Sequence, residues 1–98
     1  MLWYAEFTWF PGVRREDVAR RIVEQDDAGT IHPDKIKAWY GLAGGGAGFL
    51  IIENEDPRQV TEMLQPFMDL MSFDVRAIYE FPYHETLERM RQVVRQSG

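Results

Sequence analysis

Residues 2–10 hold five aromatic side chains, Trp3, Tyr4, Phe7, Trp9 and Phe10, and the stretch stops at Pro11-Gly12. That richness in rings predicts a strand closed by a turn. Alternation puts Trp3, Ala5, Phe7 and Trp9 on one face and Leu2, Tyr4, Glu6, Thr8 and Phe10 on the other. Both faces are largely apolar, so both need cover. From Arg14 to Asp27 the pattern changes to strong helix formers with Val18 and Ile22 four apart, which predicts a helix. Ala28–Asp34 reads as a loop, Lys35–Gly41 as a second strand, the glycine run from Ala43 to Gly48 as a turn, and Phe49–Glu53 as a third strand. Asp56-Pro57 opens a second helix, with Asp as cap and Pro at the first helical position. Its apolar stripe is Val60, Met63, Leu64, Phe67 and Met71, and Pro66 inside it predicts a kink or an early end. Phe73–Phe81 is a fourth strand, and Tyr83–Gln96 a last helix with Leu87, Met90 and Val94 on one side.

The order β-α-β-β-α-β with an extra C-terminal helix predicts an α+β fold of the ferredoxin-like kind. Such a fold has an antiparallel four-stranded sheet with both internal helices on one face. The expected units are a sheet-and-helix domain over residues 1–82 and a helical extension over 83–98. Two helices leave the second face bare, and alternation assigns it Tyr4, Phe10, Leu50, Ile52 and Ile78. An apolar face of that size predicts a homodimer, sheet against sheet. The terminal helix covering the face is the other solution.

The chain has 98 residues, one domain's worth. Eleven Lys and Arg against sixteen Asp and Glu give a net charge of −5, which argues against a nucleic-acid partner. No apolar run is long enough to cross a membrane, and Met1–Glu6 lacks the basic stretch of a signal peptide. With no cysteine there are no disulfides, thiolate metal sites or thiol nucleophiles, which fits a cytoplasmic protein. The run Gly44-Gly45-Gly46 precedes a strand and lacks a following Lys-Ser/Thr, so it reads as a hairpin turn and not a phosphate loop.

Several segments together resemble the dimeric α/β-barrel superfamily. They are the Met1-Leu2 start, Ala38-Trp39-Tyr40 before the glycine turn, Phe49–Glu53 leading to Asp56-Pro57, and Leu64–Asp69 followed by Phe73-Asp74-Val75. Within that superfamily the chain is most similar to muconolactone-isomerase-like proteins and to short uncharacterised members. The resemblance implies a barrel closed by two copies. It also implies an enzyme of the isomerase or cyclase type that needs no cofactor and acts on a small cyclic or polyketide-like molecule. Tyr83–Gly98 departs from the isomerase-like ending.

The space between two such sheets would receive Tyr4 and Glu6 from strand one, Trp39 with Lys35 and Lys37 from strand two, Leu50 from strand three, and Asp74 and Arg76 from strand four. Glu6, an acid in an apolar strand, is either a general base or the structural partner of Arg76 or Lys37. Arg76 either holds a ligand enolate, oriented by Asp74, or forms a cross-strand charge pair. His32, at a strand mouth, is either a proton donor or a solvent-exposed loop histidine. Tyr4, Trp39, Asp74 and Leu50 are the expected substrate-binding residues. No pair of histidines and acids has metal-ligand spacing, so no metal is expected. The alternative function is a non-catalytic dimer that binds a small organic ligand or a partner protein.

Overall fold

A computed structural model describes residues 1–97. Strand β1 spans Leu2–Trp9, helix α1 Arg15–Asp27, β2 Ile36–Gly41, β3 Ala47–Glu53, α2 Pro57–Leu64, β4 Met71–Ile78 and α3 Tyr83–Ser97. The strands form one antiparallel sheet in the order β2-β3-β1-β4, which is the ferredoxin-like arrangement expected.

Local chemistry sets the element ends. Asp56 caps α2 by accepting a hydrogen bond from the Arg58 amide at 2.9 Å, and Pro57 takes the first helical position. Just upstream, buried Asn54 organises the turn: its Oδ1 accepts from the Asp56 amide and its carbonyl from Trp3 Nε1. Pro66 ends α2 early, as expected, and a 3-10 turn over Gln65–Phe67 follows. Met71 is corrected: it does not close the α2 stripe but starts β4, which then ends at Ile78 instead of running on to Phe81.

Residues directly opposite in an antiparallel pair share a face. Ala5 is opposite Leu50 and Val75, Trp3 is opposite Ile52, and Phe7 is opposite Phe73. This face meets the helices, and its core is Ala5, Ile52, Val60 and Leu64, flanked by Trp3, Leu50, Met63 and Phe73. The core therefore sits under α2. Helix α1 contributes only one buried residue, Val18. It is tied down by Arg21, which donates to the Pro66 carbonyl and pairs with Asp69. The other face carries Tyr4, Glu6 and Thr8 as expected, beside Phe49, Ile51, Asp74 and Arg76.

Two placements on strands two and three are corrected. Leu50 and Ile52 face the helices, because β3 is apolar on both sides and periodicity gives no phase there. Trp39 also turns toward the helices. A bulge at Lys37 separates the pairs Ile36–Ile52 and Ala38–Ile51, so the run Lys35, Lys37, Trp39 does not share a face. Phe10 lies beyond the strand end.

Helix α3 buries no residue. The long dimension of the chain is 58 Å and its radius of gyration 17.6 Å. A compact chain of this length would have a radius of gyration of about 13 Å.

Candidate functional site

The expected site residues fall into two groups on opposite sides of the sheet. Tyr4, Glu6, Asp74 and Arg76 do converge on the face away from α1 and α2: Glu6 is opposite Asp74, and Tyr4 is opposite Arg76. Arg76 Nη2 lies 2.7 Å from Asp74 Oδ2. That hydrogen bond, with the Asp74 charge behind it and smaller contributions from Glu6 and Tyr4, raises the Arg76 guanidinium above its usual value. Both partners are more than half exposed, so the pair contributes little to stability. Tyr4, Phe49 and Tyr40 form a row across β1, β3 and β2, with neighbouring ring centroids 5.2 Å apart.

Trp39 and Leu50 lie behind the sheet from this group. His32 stands apart from both groups. It is exposed, has a left-handed backbone (φ 55°), and precedes the 3-10 turn that feeds β2. Strand β2 is at the opposite edge from β4, three strand spacings or roughly 14 Å away. The structure thus does not bring His32 to Glu6 and Arg76. His84 is also exposed, edge-on to the Tyr83 ring.

The sequence reading missed the main concavity. Because α2 packs closely and α1 does not, a cavity of about 840 Å³ lies between α1 and the sheet. Phe7, Leu50 and Phe73 form its floor, and Val18 and Ile22 its roof. The rim is exposed and apolar: Val23, Trp39 and Leu42 are each more than half accessible. Among the described residues, Asp26, near the C-terminal end of α1, is the only ionisable one in the wall. The floor is kept low by Gly48, opposite Gly41. A Cβ on Gly48 would come within 2.6 Å of the Phe7 ring and 2.1 Å of the Tyr40 carbonyl oxygen. Trp9 is also in the wall, and its Nε1 is enclosed with no acceptor. An indole N–H left unpaired in this way costs about 1–3 kcal/mol. The one sequence signal for this cavity was the sparse apolar stripe of α1, only Val18 and Ile22 in thirteen residues with Val23 beside them.

Among the described residues, no group of three or more His, Asp and Glu side chains is placed to hold a metal, and no helix is long and apolar enough to cross a membrane.

Comparison with known proteins agrees with this architecture. No curated protein matches the chain. Among solved structures, muconolactone isomerase superposes with a TM-score of 0.59 over 85% of this chain and 93% of its own, at 16% identity. That likeness shows the fold, a ferredoxin-like arrangement of strands and helices. Rv0793 from Mycobacterium tuberculosis matches over 83% of this chain and 96% of its own, with 17% identity and a TM-score of 0.46. A family model described as "Domain of unknown function (DUF3303)" matches residues 1–94, and the chain belongs to that family.

Proposed function

We propose that this protein binds a flat, largely apolar organic molecule in the cavity between α1 and the sheet. The observation that carries this reading is the cavity itself: about 840 Å³, walled by aliphatic and aromatic side chains, with a single carboxylate, Asp26. Sites for small organic ligands are of this kind, about 300–1,000 Å³ with apolar walls and few polar groups. A ligand with one oxygen acceptor would suit Trp9 Nε1, once a turn of the indole brings that N–H toward the cavity. The test is a thermal-shift and fluorescence titration with planar aromatic acids, lactones and quinones. A ligand at one hundred times its Kd stabilises the fold by about 2.7 kcal/mol. Ile22→Trp, which puts an indole into the roof, should abolish that shift; an unchanged shift in Ile22→Trp would place the ligand elsewhere.

A second reading rests on the group behind the sheet. Glu6, Asp74 and Arg76 share one exposed face, and a second copy covering that face would enclose them. In that homodimer Glu6 would take a proton α to a carbonyl, Arg76 would hold the enolate, and the Glu6 carboxyl would return the same proton at another carbon, a cofactor-free isomerase chemistry. Full turnover by Glu6→Gln on an identified substrate would end this reading. The absence of cysteine is in keeping with a cytoplasmic home for either version.

A further inference from the structure

Two apolar surfaces of this chain have no cover, and they match each other. The first is the strip between β1 and β4 on the sheet face away from α1 and α2. Leu2 and Ile78 stand opposite each other there, and Tyr4 follows them. The strip then turns acidic: Glu6 faces Asp74 across the strands, and Arg76 beside them is already bound to Asp74. Opposed like charges in a strand pair are unfavourable and call for a counter-charge. The second surface is α3. At 100° per residue, Tyr83, Leu87, Met90 and Val94 fall on one stripe, and Arg91 and Arg95 flank it on one side. Tyr83, Met90 and Val94 are each more than half exposed. Among the described residues Arg91 has no carboxylate within ion-pair distance, and Arg95 reaches only Glu88, at 3.8 Å.

We infer that α3 is an exchanged arm: its Leu87–Met90–Val94 stripe packs on the β1–β4 strip of a second copy of this chain, with Arg91 and Arg95 toward that copy's Glu6 and Asp74. Three features select a second copy as the occupant. The helix buries nothing in its own chain and extends away from it. A helix about 10 Å across spans two strands set about 4.8 Å apart. Its flank is basic where the strip is acidic. Two-fold exchange satisfies both copies at once, since each supplies one arm and one strip. The inference rests on the homodimer alone and not on the catalytic role given to Glu6 above, since with the arm seated Glu6 is an ion-pair partner; it adds which element makes the contact and where.

The absence of cysteine makes the test clean. Sedimentation of the full chain should show a dimer, and the double variant Met90→Asp/Val94→Asp should raise the dimer Kd more than about a hundredfold. Because these side chains are exposed in their own chain, the variant should keep its secondary structure by circular dichroism. In a second measurement, Gln92→Cys copies are mixed with tagged Ser72→Cys or Glu24→Cys copies and treated with a flexible bis-maleimide. The mixed product should form with Ser72→Cys, on the strip, and not with Glu24→Cys, on the helical layer. A wild-type monomer overturns both the dimer and the arm. A dimer unaffected by the double variant, or one that cross-links through Glu24→Cys, overturns the arm and leaves the dimer standing.

Discussion

Arg21 and Asp69 meet through two parallel hydrogen bonds, Nη1 to Oδ1 at 2.7 Å and Nη2 to Oδ2 at 3.0 Å. The fork geometry fixes direction as well as distance. Arg21 lies midway along α1 and Asp69 in the connection from α2 to β4, so the pair pins one helix to the other layer at a single point. With Val18 the one buried residue of α1, the Arg21 bonds to Asp69 and to the Pro66 carbonyl are the main polar ties that hold this helix over the cavity. Arg21→Met should keep the aliphatic contact and lose the pair. The expected result is a small drop in melting temperature, with faster amide exchange along α1 than along α2. Equal exchange in the two helices would show that the pin is dispensable.

The same pair has a signature in pH. The Arg21 hydrogen bonds hold the Asp69 carboxyl below its ordinary value of 3.8; desolvation acts the other way, and a backbone N–H and the Arg21 charge add smaller lowering contributions. A carboxyl depressed in the folded state adds stability above its unfolded pKa, and that stability is lost as pH falls through the folded value. Asp69→Asn should therefore be less stable than wild type at neutral pH, and the gap should close as the pH drops below about 3.8. Thermal melts of both proteins across the acid range measure it. A gap that persists down to acid unfolding would assign the loss to packing instead.

Gly48 predicts a sharper effect. It is buried in β3, and an added methyl would sit 2.1 Å from the Tyr40 carbonyl oxygen, a backbone atom with no rotamer to escape through. Relief requires β2 to move off β3. Gly48→Ala should cost about 1–3 kcal/mol or more as overpacking does, and should lower affinity in the cavity because the Phe7 ring is displaced too. Denaturant melts and a ligand titration of the variant would test both parts; unchanged stability would mean the hairpin yields freely.

The fold was legible because turn chemistry and period changes mark its elements: Pro11-Gly12, the glycine run, Asp56-Pro57 and Pro66 each end or start a segment where the structure does. The phase of β1 was legible as well, since Glu6 and Thr8 distinguish its two sides. The site was legible only in part. In β3, Phe49, Leu50, Ile51 and Ile52 are all apolar, so nothing in the residue types says which pair faces the helices. In β2 a single bulge at Lys37 reverses the phase before Trp39, and bulges of this kind have no reliable residue signature. The cavity was hidden for a different reason. It arises from what α1 fails to fill, which is a property of two layers together and not of any one segment.

Ile52 and Trp39 separate stability from binding on one face of the sheet. Ile52 is fully enclosed, within the core cluster under α2. Ile52→Ala removes those contacts and leaves a void, at about 2–4 kcal/mol. For a domain whose total stability is about 5–15 kcal/mol, that is a large fraction. Trp39 faces the same side, opposite Leu50, but at the cavity rim with 60% of its surface accessible. Trp39→Ala removes little that is packed, so its stability should stay within about 0.5 kcal/mol of wild type. Its cost should appear in ligand affinity, because an exposed indole at the mouth of an apolar cavity is placed to close over a flat molecule. Melts and titrations of the two variants side by side should show Ile52→Ala unstable and Trp39→Ala stable but weak in binding. Two variants that lose stability equally, or a Trp39→Ala that binds as well as wild type, would remove Trp39 from the site.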